Sequence, residues 1–159
     1  MSSSSLKPSS LTTLIFPAPF PPLLLQLFYK SDNRYLICAS PERYLKKEGD
    51  RILSQPIKGT SRRNLQDNAA DEFSKTQLYN SNKDRSENVM VVDLVRNDLS
   101  KLCVEGSVQV DELFGIYSFP QVHQMLSTIS GVLQPGISFA EIIRKTFPMG
   151  SMTGAPKKK

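Results

Sequence analysis

Four short stretches of this 159-residue chain hold residue types that do chemistry. In Gln55-Pro56-Ile57-Lys58-Gly59-Thr60 a lysine sits between Ile57 and Gly59 at the end of an apolar run. An apolar setting disfavours the charged ammonium and frees the amine as a nucleophile. The glycine lets another group approach the backbone closely. A lysine there also guards an exposed strand edge, so both readings stand on residue types alone. In Ser40-Pro41-Glu42-Arg43, Glu42 follows a proline at a strand end, where it can act as a general acid or as an ordinary turn carboxylate paired with Arg43. Lys83-Asp84-Arg85-Ser86-Glu87-Asn88 opens an apolar helix, with Asp84 suited to the helix N-terminus. Glu87 falls on the apolar stripe and needs a partner there. A hard cation such as magnesium would serve, and so would a cap or an ion pair. In the stretch 148–157, Gly150, Ser151, Gly154 and Lys157 present N–H groups, a hydroxyl and a positive charge to an anion. The spacing is not GxxxxGK[ST], so a carboxylate ligand fits as well as a phosphate. The one histidine, His123, lies in the apolar run 122–128, where a hydrogen-bonded core role is the commoner one.

The elements that must hold these residues can be read from pattern. Tyr35–Ala39 is a short apolar run of β-formers, and Arg51–Ile57 reads as a second strand, expected to pair antiparallel with it. Residues 71–98 are helical, as one helix or as two with a break near Asn80-Ser81-Asn82. In the second part Glu87, Met90, Val91, Leu94 and Val95 make one stripe, with Arg85, Asn88 and Lys101 flanking it. Ser107–Leu113 and Val122–Leu133 are strands, and Ser138 caps a helix over 139–146 with Glu141 completing a capping box. Residues 148–157 read as a loop. Strands and helices in this order predict an α+β fold with antiparallel pairing.

Composition excludes several classes. The net charge is +5, but three of the lysines are the last three residues, and without them the excess is +2. No aromatic residues interleave with that tail, so nucleic acid is not an expected partner. Residues 11–28 are apolar but carry Pro17, Pro19, Pro21 and Pro22, which breaks the continuous helix a membrane span needs. Neither basic residues nor a small-residue cleavage site frame a signal peptide. Two cysteines, Cys38 and Cys103, read as reduced thiols of a cytoplasmic protein.

Taken in order, Ser40–Arg43, Pro56–Thr60, Lys83–Leu99, Phe119–Thr128 and Phe147–Lys157 resemble the chorismate-binding domain of the chorismate-utilising enzymes. That group includes anthranilate synthase component I and aminodeoxychorismate synthase component I. At the variable position the first resembles PIAGT and the second PIKGT, which stands here at 56–60. The resemblance implies an anthranilate synthase component I-like α/β sandwich of antiparallel sheets with outer helices. It implies that chorismate is converted with ammonia to 4-amino-4-deoxychorismate, for 4-aminobenzoate and folate, with anthranilate synthesis as the alternative. It assigns Lys58 as nucleophile and Glu42 as general acid, and Glu87 as a magnesium ligand. It places Thr60, His123, Thr128, Gly150, Ser151 and Lys157 against the substrate. It also implies a glutamine amidotransferase subunit that supplies the ammonia.

Two departures from the pattern carry expectations. The resemblance runs from about Tyr35 to Lys159, and residues 1–27 are expected to be a non-matching segment, disordered or translated from another frame. The family continues past the GAPK stretch with a helix bearing a second metal glutamate and then further strands. Residues 28–159 are therefore expected to be a truncated, incomplete chorismate-binding domain, inactive alone. A non-catalytic remnant or anion-binding module is the reading from another class.

Overall fold

The computed structural model describes residues 25–40 and 42–154. The expectations for residues 1–24 and for Lys157 lie outside them. The chain divides after residue 42 into two compact units.

The first unit holds a hairpin of β1 (Leu25–Ser31) and β2 (Arg34–Ser40), with Ser31 opposite Arg34. Its two-residue loop puts Asp32 at φ 49°, a left-handed conformation that short polar side chains tolerate. β1 begins at Leu25, so the change of character placed at Phe28 falls inside an element.

The second unit runs β3 (Arg43–Glu48), β4 (Arg51–Gln55), β5 (Ile57–Arg62), α1 (Asn68–Asn80), α2 (Asn82–Ser100), β6 (Gln109–Ser118), β7 (Val122–Val132), α3 (Phe139–Thr146) and α4 (Gly150–Thr153). All strand pairs are antiparallel. β7 is the axis: it pairs with β4 and β5 along one edge and with β6 along the other. From Met125 to Gly131 it is buried without interruption, the pattern of a strand covered on both faces. The expected pairing of Tyr35–Ala39 with Arg51–Ile57 does not occur. The first run pairs with β1, and the second pairs with β3 and β7. Strand partners of this kind are chosen by burial of whole faces, which a local pattern does not encode.

β4 and β5 form one continuous run along β7. Arg51 lies opposite Val132, Ser54 opposite Ile129, and Ile57 opposite Leu126 in one register. Pro56 has no N–H to give and interrupts the ladder, although its carbonyl still accepts from the Ser127 amide at 3.2 Å. The register then slips between Ile57 and Thr60, so that Lys58 and Gly59 form a bulge.

α1 and α2 meet at Ser81, as the Asn80-Ser81-Asn82 signal predicts. Asp67 caps α1 by accepting from the Ala69 and Ala70 amides, and Ser81 caps α2 by accepting from the Asp84 amide. Ser138 caps α3 over the expected span, accepting from the Glu141 amide at 3.2 Å. The stretch read as a loop after Pro148 contains the single turn of α4.

The α2 stripe is rotated from its expected position. Asn88, Val91, Val92, Asp98 and Leu99 are buried, whereas Met90 is exposed and Glu87 lies on the half-buried border. Asn88 and Asp98 carry hydrogen-bonded partners, so polarity does not mark the wet face of this helix. One core joins Ile52 of β4, Val92 and Leu99 of α2, Leu102, Cys103, Ile129 of β7, Leu133 and Ile142 of α3. Gly131 makes room for the Cys103 thiol, which would come within 2.7 Å of a Cβ at that position. Ile129 is fully buried at the centre of this core. Ile129→Ala is expected to cost about 2–5 kcal/mol, read as a lower urea midpoint with an unchanged m-value.

Candidate active site

Lys58 stands on the bulge of β5, the strand whose other edge pairs with no described strand. Bulges bend an edge and re-aim its side chains. Gly59 has φ +100°, which side chains rarely adopt, and a Cβ there would lie 3.0 Å from Asp84 Cβ. The group for which that glycine makes space is therefore the first turn of α2. Lys58 is half-buried, and among the described residues its ammonium has no hydrogen-bond or ion-pair partner.

α2 is fastened to the sheet at successive positions of its first two turns. Asp84 packs on Gly59. The Arg85 guanidinium lies 4.6 Å from the Phe114 ring centre and 5.7 Å from that of Tyr79. The Asn88 carboxamide accepts from the Ser127 hydroxyl at 2.6 Å and donates to the Lys58 carbonyl at 3.5 Å. Ser127 Oγ in turn accepts from the Phe114 amide at 3.1 Å. Phe114, at φ 60°, sits in an irregularity of the β6–β7 ladder, and Ser127 supplies a partner for its N–H.

Glu87 directly precedes Asn88. Glu87 is half-buried and, among the described residues, its carboxylate has no hydrogen-bond or ion-pair partner. Seven residues further on, and so on the same side of the helix, Leu94 packs against Gly150, where a Cβ would lie 3.0 Å from Leu94 Cβ. Thus α2 gathers the Lys58 backbone, Glu87 and the Gly150–Ser151 turn along its length.

The remaining predicted residues divide. Thr60 lies opposite Gln124, and Gln55 Nε2 donates to Thr128 Oγ1 at 3.1 Å. By strand alternation Thr60, Gln124 and Thr128 face away from the helices. Thr60 lines a groove of about 670 Å³ with Arg62, Arg63, Leu65, Gln121 and Val122. His123 faces the helices and corrects the expectation of a substrate contact. It is 1% exposed and both ring nitrogens are taken: Nδ1 by the Ser118 hydroxyl at 2.8 Å and Nε2 by Asp71 at 3.1 Å. Gln124, its neighbour on the opposite face, was not singled out by sequence reasoning. Its Oε1 is buried without a partner, and nothing in an apolar-looking strand pattern signals that. Glu42 belongs to the first unit, where its amide donates to Ser40 Oγ at 3.2 Å.

The residues test poorly as a complete metal centre. Among the described residues no three His, Cys, Asp or Glu side chains come together. Magnesium is commonly held by one or two carboxylates plus waters and substrate oxygens. Glu87 suits one such position and no more.

Residues 22–159 match the profile of the chorismate binding enzyme family. The chain belongs to that family. It is 45% identical over 130 residues to aminodeoxychorismate synthase component 1 of Salmonella typhimurium, covering 82% of this chain and 28% of that protein. It is 46% identical over 142 residues to the chloroplastic aminodeoxychorismate synthase of Arabidopsis thaliana, covering 89% of this chain and 15% of that one. In three dimensions it superposes on anthranilate synthase component I of Streptococcus pneumoniae with a TM-score of 0.70 at 29% identity, over 82% of this chain and 28% of that one. The chain therefore has the α+β fold of one segment of these enzymes and spans less than a third of the length of each. Among the described residues no helix is long and apolar enough to cross a membrane.

Asp71 ties the β5–α1 loop to this core. Arg63 grips it through Nη2 at 2.7 Å and Nε at 3.1 Å, the Asn64 amide donates at 2.8 Å, and His123 adds the third contact. The Arg63 guanidinium, aided by these donors, holds the Asp71 carboxyl well below the usual carboxylate range. A depressed folded value stabilises the fold above the ordinary value of 3.8, and that stabilisation is lost as pH falls towards the folded value. Asp71→Asn is expected to lower the urea midpoint at neutral pH, with the gap from the parent closing as pH drops below 3.8. A gap of constant size across urea titrations at stepped pH would assign the loss to packing rather than charge.

Proposed function

We propose that this chain is the nucleophile-bearing segment of an aminodeoxychorismate synthase component I. The observation that carries the reading is Lys58: in the PIKGT sequence at 56–60 it stands on the bulge of β5, and its ammonium has no partner among the described residues. The similarity to proteins bearing that name supports the same reading.

The chemistry follows from the residue types. The Lys58 amine adds to C2 of chorismate, and the electron pair shifts through the ring to expel the C4 hydroxyl. Glu42, as general acid, gives that hydroxyl a proton so that it leaves as water. Ammonia then adds at C4, the Lys58 amine leaves C2, and 4-amino-4-deoxychorismate results, the precursor of 4-aminobenzoate in folate synthesis. Covalent catalysis splits one hard displacement into two easier ones. Magnesium, when bound, draws negative charge on the ring carboxylate towards itself. Glu87 would supply one oxygen ligand to it, the Gly150–Ser151 turn and Lys157 would hold a carboxylate, and Thr60 and Thr128 would contact substrate. A glutamine amidotransferase subunit would deliver the ammonia, in the cytoplasm.

The test is a chimera in which this segment replaces its counterpart in the Salmonella protein. Given chorismate, ammonia and magnesium, it is expected to release aminodeoxychorismate. Lys58→Ala is expected to abolish a chorismate-derived mass adduct on the peptide, and Glu42→Gln to slow turnover by about 10²–10⁴-fold. Full activity in Lys58→Ala would remove the nucleophile assignment, and release of anthranilate would move the reading to that branch.

A further inference from the structure

Lys58 presents a physical problem. Its side chain has no partner among the described residues, so nothing at the amine end fixes where it points. Its direction must come from the backbone at the bulge. A bulge is a local departure from the ladder, and the ladder hydrogen bonds do not define it.

Two contacts from one helix face do define it. Asp84 and Asn88 are four residues apart and therefore stack on the same side of α2. Asp84 lies against Gly59, and Asn88 reaches the carbonyl of Lys58 itself. The Asn88 carboxamide is 1% exposed, and its orientation is set from its other end by Ser127. With the oxygen turned to the Ser127 hydroxyl, the nitrogen is left facing the Lys58 carbonyl. Ser127 is itself fully buried and held by the Phe114 amide. The chain from Phe114 through Ser127 and Asn88 to Lys58 thus links β6, β7, α2 and the bulge of β5.

We infer that Asn88 is a positioning residue for Lys58, acting through the Lys58 carbonyl and oriented by Ser127. The inference rests on the proposed function only for its purpose, because the placement of Lys58 can be measured without chorismate. A buried asparagine used only for stability would not report specifically on Lys58. A positioning residue would change the bulge and the amine it carries, and would do so through Ser127 as well.

The experiment uses the full 159-residue chain. The first measurement is the carbonyl carbon shift of Lys58 and the amide nitrogen shift of Gly59, which report the hydrogen bond directly. The second is the rate of acetylation of Lys58 by an N-hydroxysuccinimide ester, quantified by peptide mass spectrometry against Lys75 and Lys101 in the same sample. Asn88→Ala and Ser127→Ala are each expected to move both shifts and to change the Lys58 rate severalfold, with the two control lysines unchanged. In the double variant Ser127→Ala is expected to add nothing, since its effect passes through Asn88. Should Asn88→Ala not fold, Ser127→Ala decides. Unchanged shifts together with an unchanged Lys58-to-control ratio in a folded variant would overturn the inference, as would additive effects in the double variant. Altered Lys58 placement combined with an inactive parent chimera would sustain the positioning role and count against the proposed chemistry alone.

Discussion

Ser127 has to satisfy two partners inside a strand that is covered on both faces. Its hydroxyl donates to Asn88 and accepts from the Phe114 amide, and Ser127 is fully buried. A buried polar group left unpaired costs on the order of 1–3 kcal/mol, so the three residues must be brought together or the sheet is destabilised. A one-residue slip of β7 would turn Ser127 to the opposite face. It would leave three polar groups unsatisfied at once and move Ile129 out of the core. The buried chain therefore specifies the register of the strand on which β4, β5 and β6 all depend. The bulge that carries Lys58 is placed by the same register.

A second polar cluster does the corresponding task at the other end of β7. Arg63, Asp71, His123 and Ser118 join the β5–α1 loop, the first turns of α1 and the β6–β7 hairpin. Arg63 also donates to the Phe119 carbonyl at 3.2 Å. His123 receives its orientation from both neighbours and has no nitrogen left for a ligand. The nearby Tyr117–Glu112 pair on β6 shows the same economy, with the phenol pushed up to about 12 by its hydrogen bond to the carboxylate. Charged and aromatic residues that look functional in a list are here part of the frame.

How much of this was legible in the sequence depends on how local the deciding interaction is. Ser138, Ser81 and the span of α3 were readable because a cap acts within one turn of its own helix. The chain of motifs from Ser40 to Lys157 was readable because residue order survives in the sequence, and it identified the family. Gly59 could be read as a point of close approach, but not that Asp84 makes the approach. The partner of Arg51–Gln55 is not legible locally because β7 lies over seventy residues away in sequence. Helical periodicity puts Asn88 only at the flank of the apolar stripe, for the same reason. Its burial is compensated by Ser127 and by the Lys58 carbonyl, two groups from different strands that helical periodicity cannot reveal. His123 was assigned to a pocket by resemblance, and the structure gives it the commoner core role.

The position of α2 explains why a single helix can serve several chemical groups. At Lys58 the tip of the side chain has no partner among the described residues, while the base is held at the carbonyl and at the following glycine. The same helix turn that holds the base projects Glu87, so the carboxylate and the lysine backbone share one rigid support. Leu94, about 10 Å along the helix axis at the usual rise, seats Gly150 at the distance at which a larger residue would be excluded. Spacing between these groups is thus written in helix geometry and in two glycines, and not in any contact between the chemical groups themselves. The Lys58 ammonium and the Glu87 carboxylate, each without a partner among the described residues, thus take their places from the backbone that carries them.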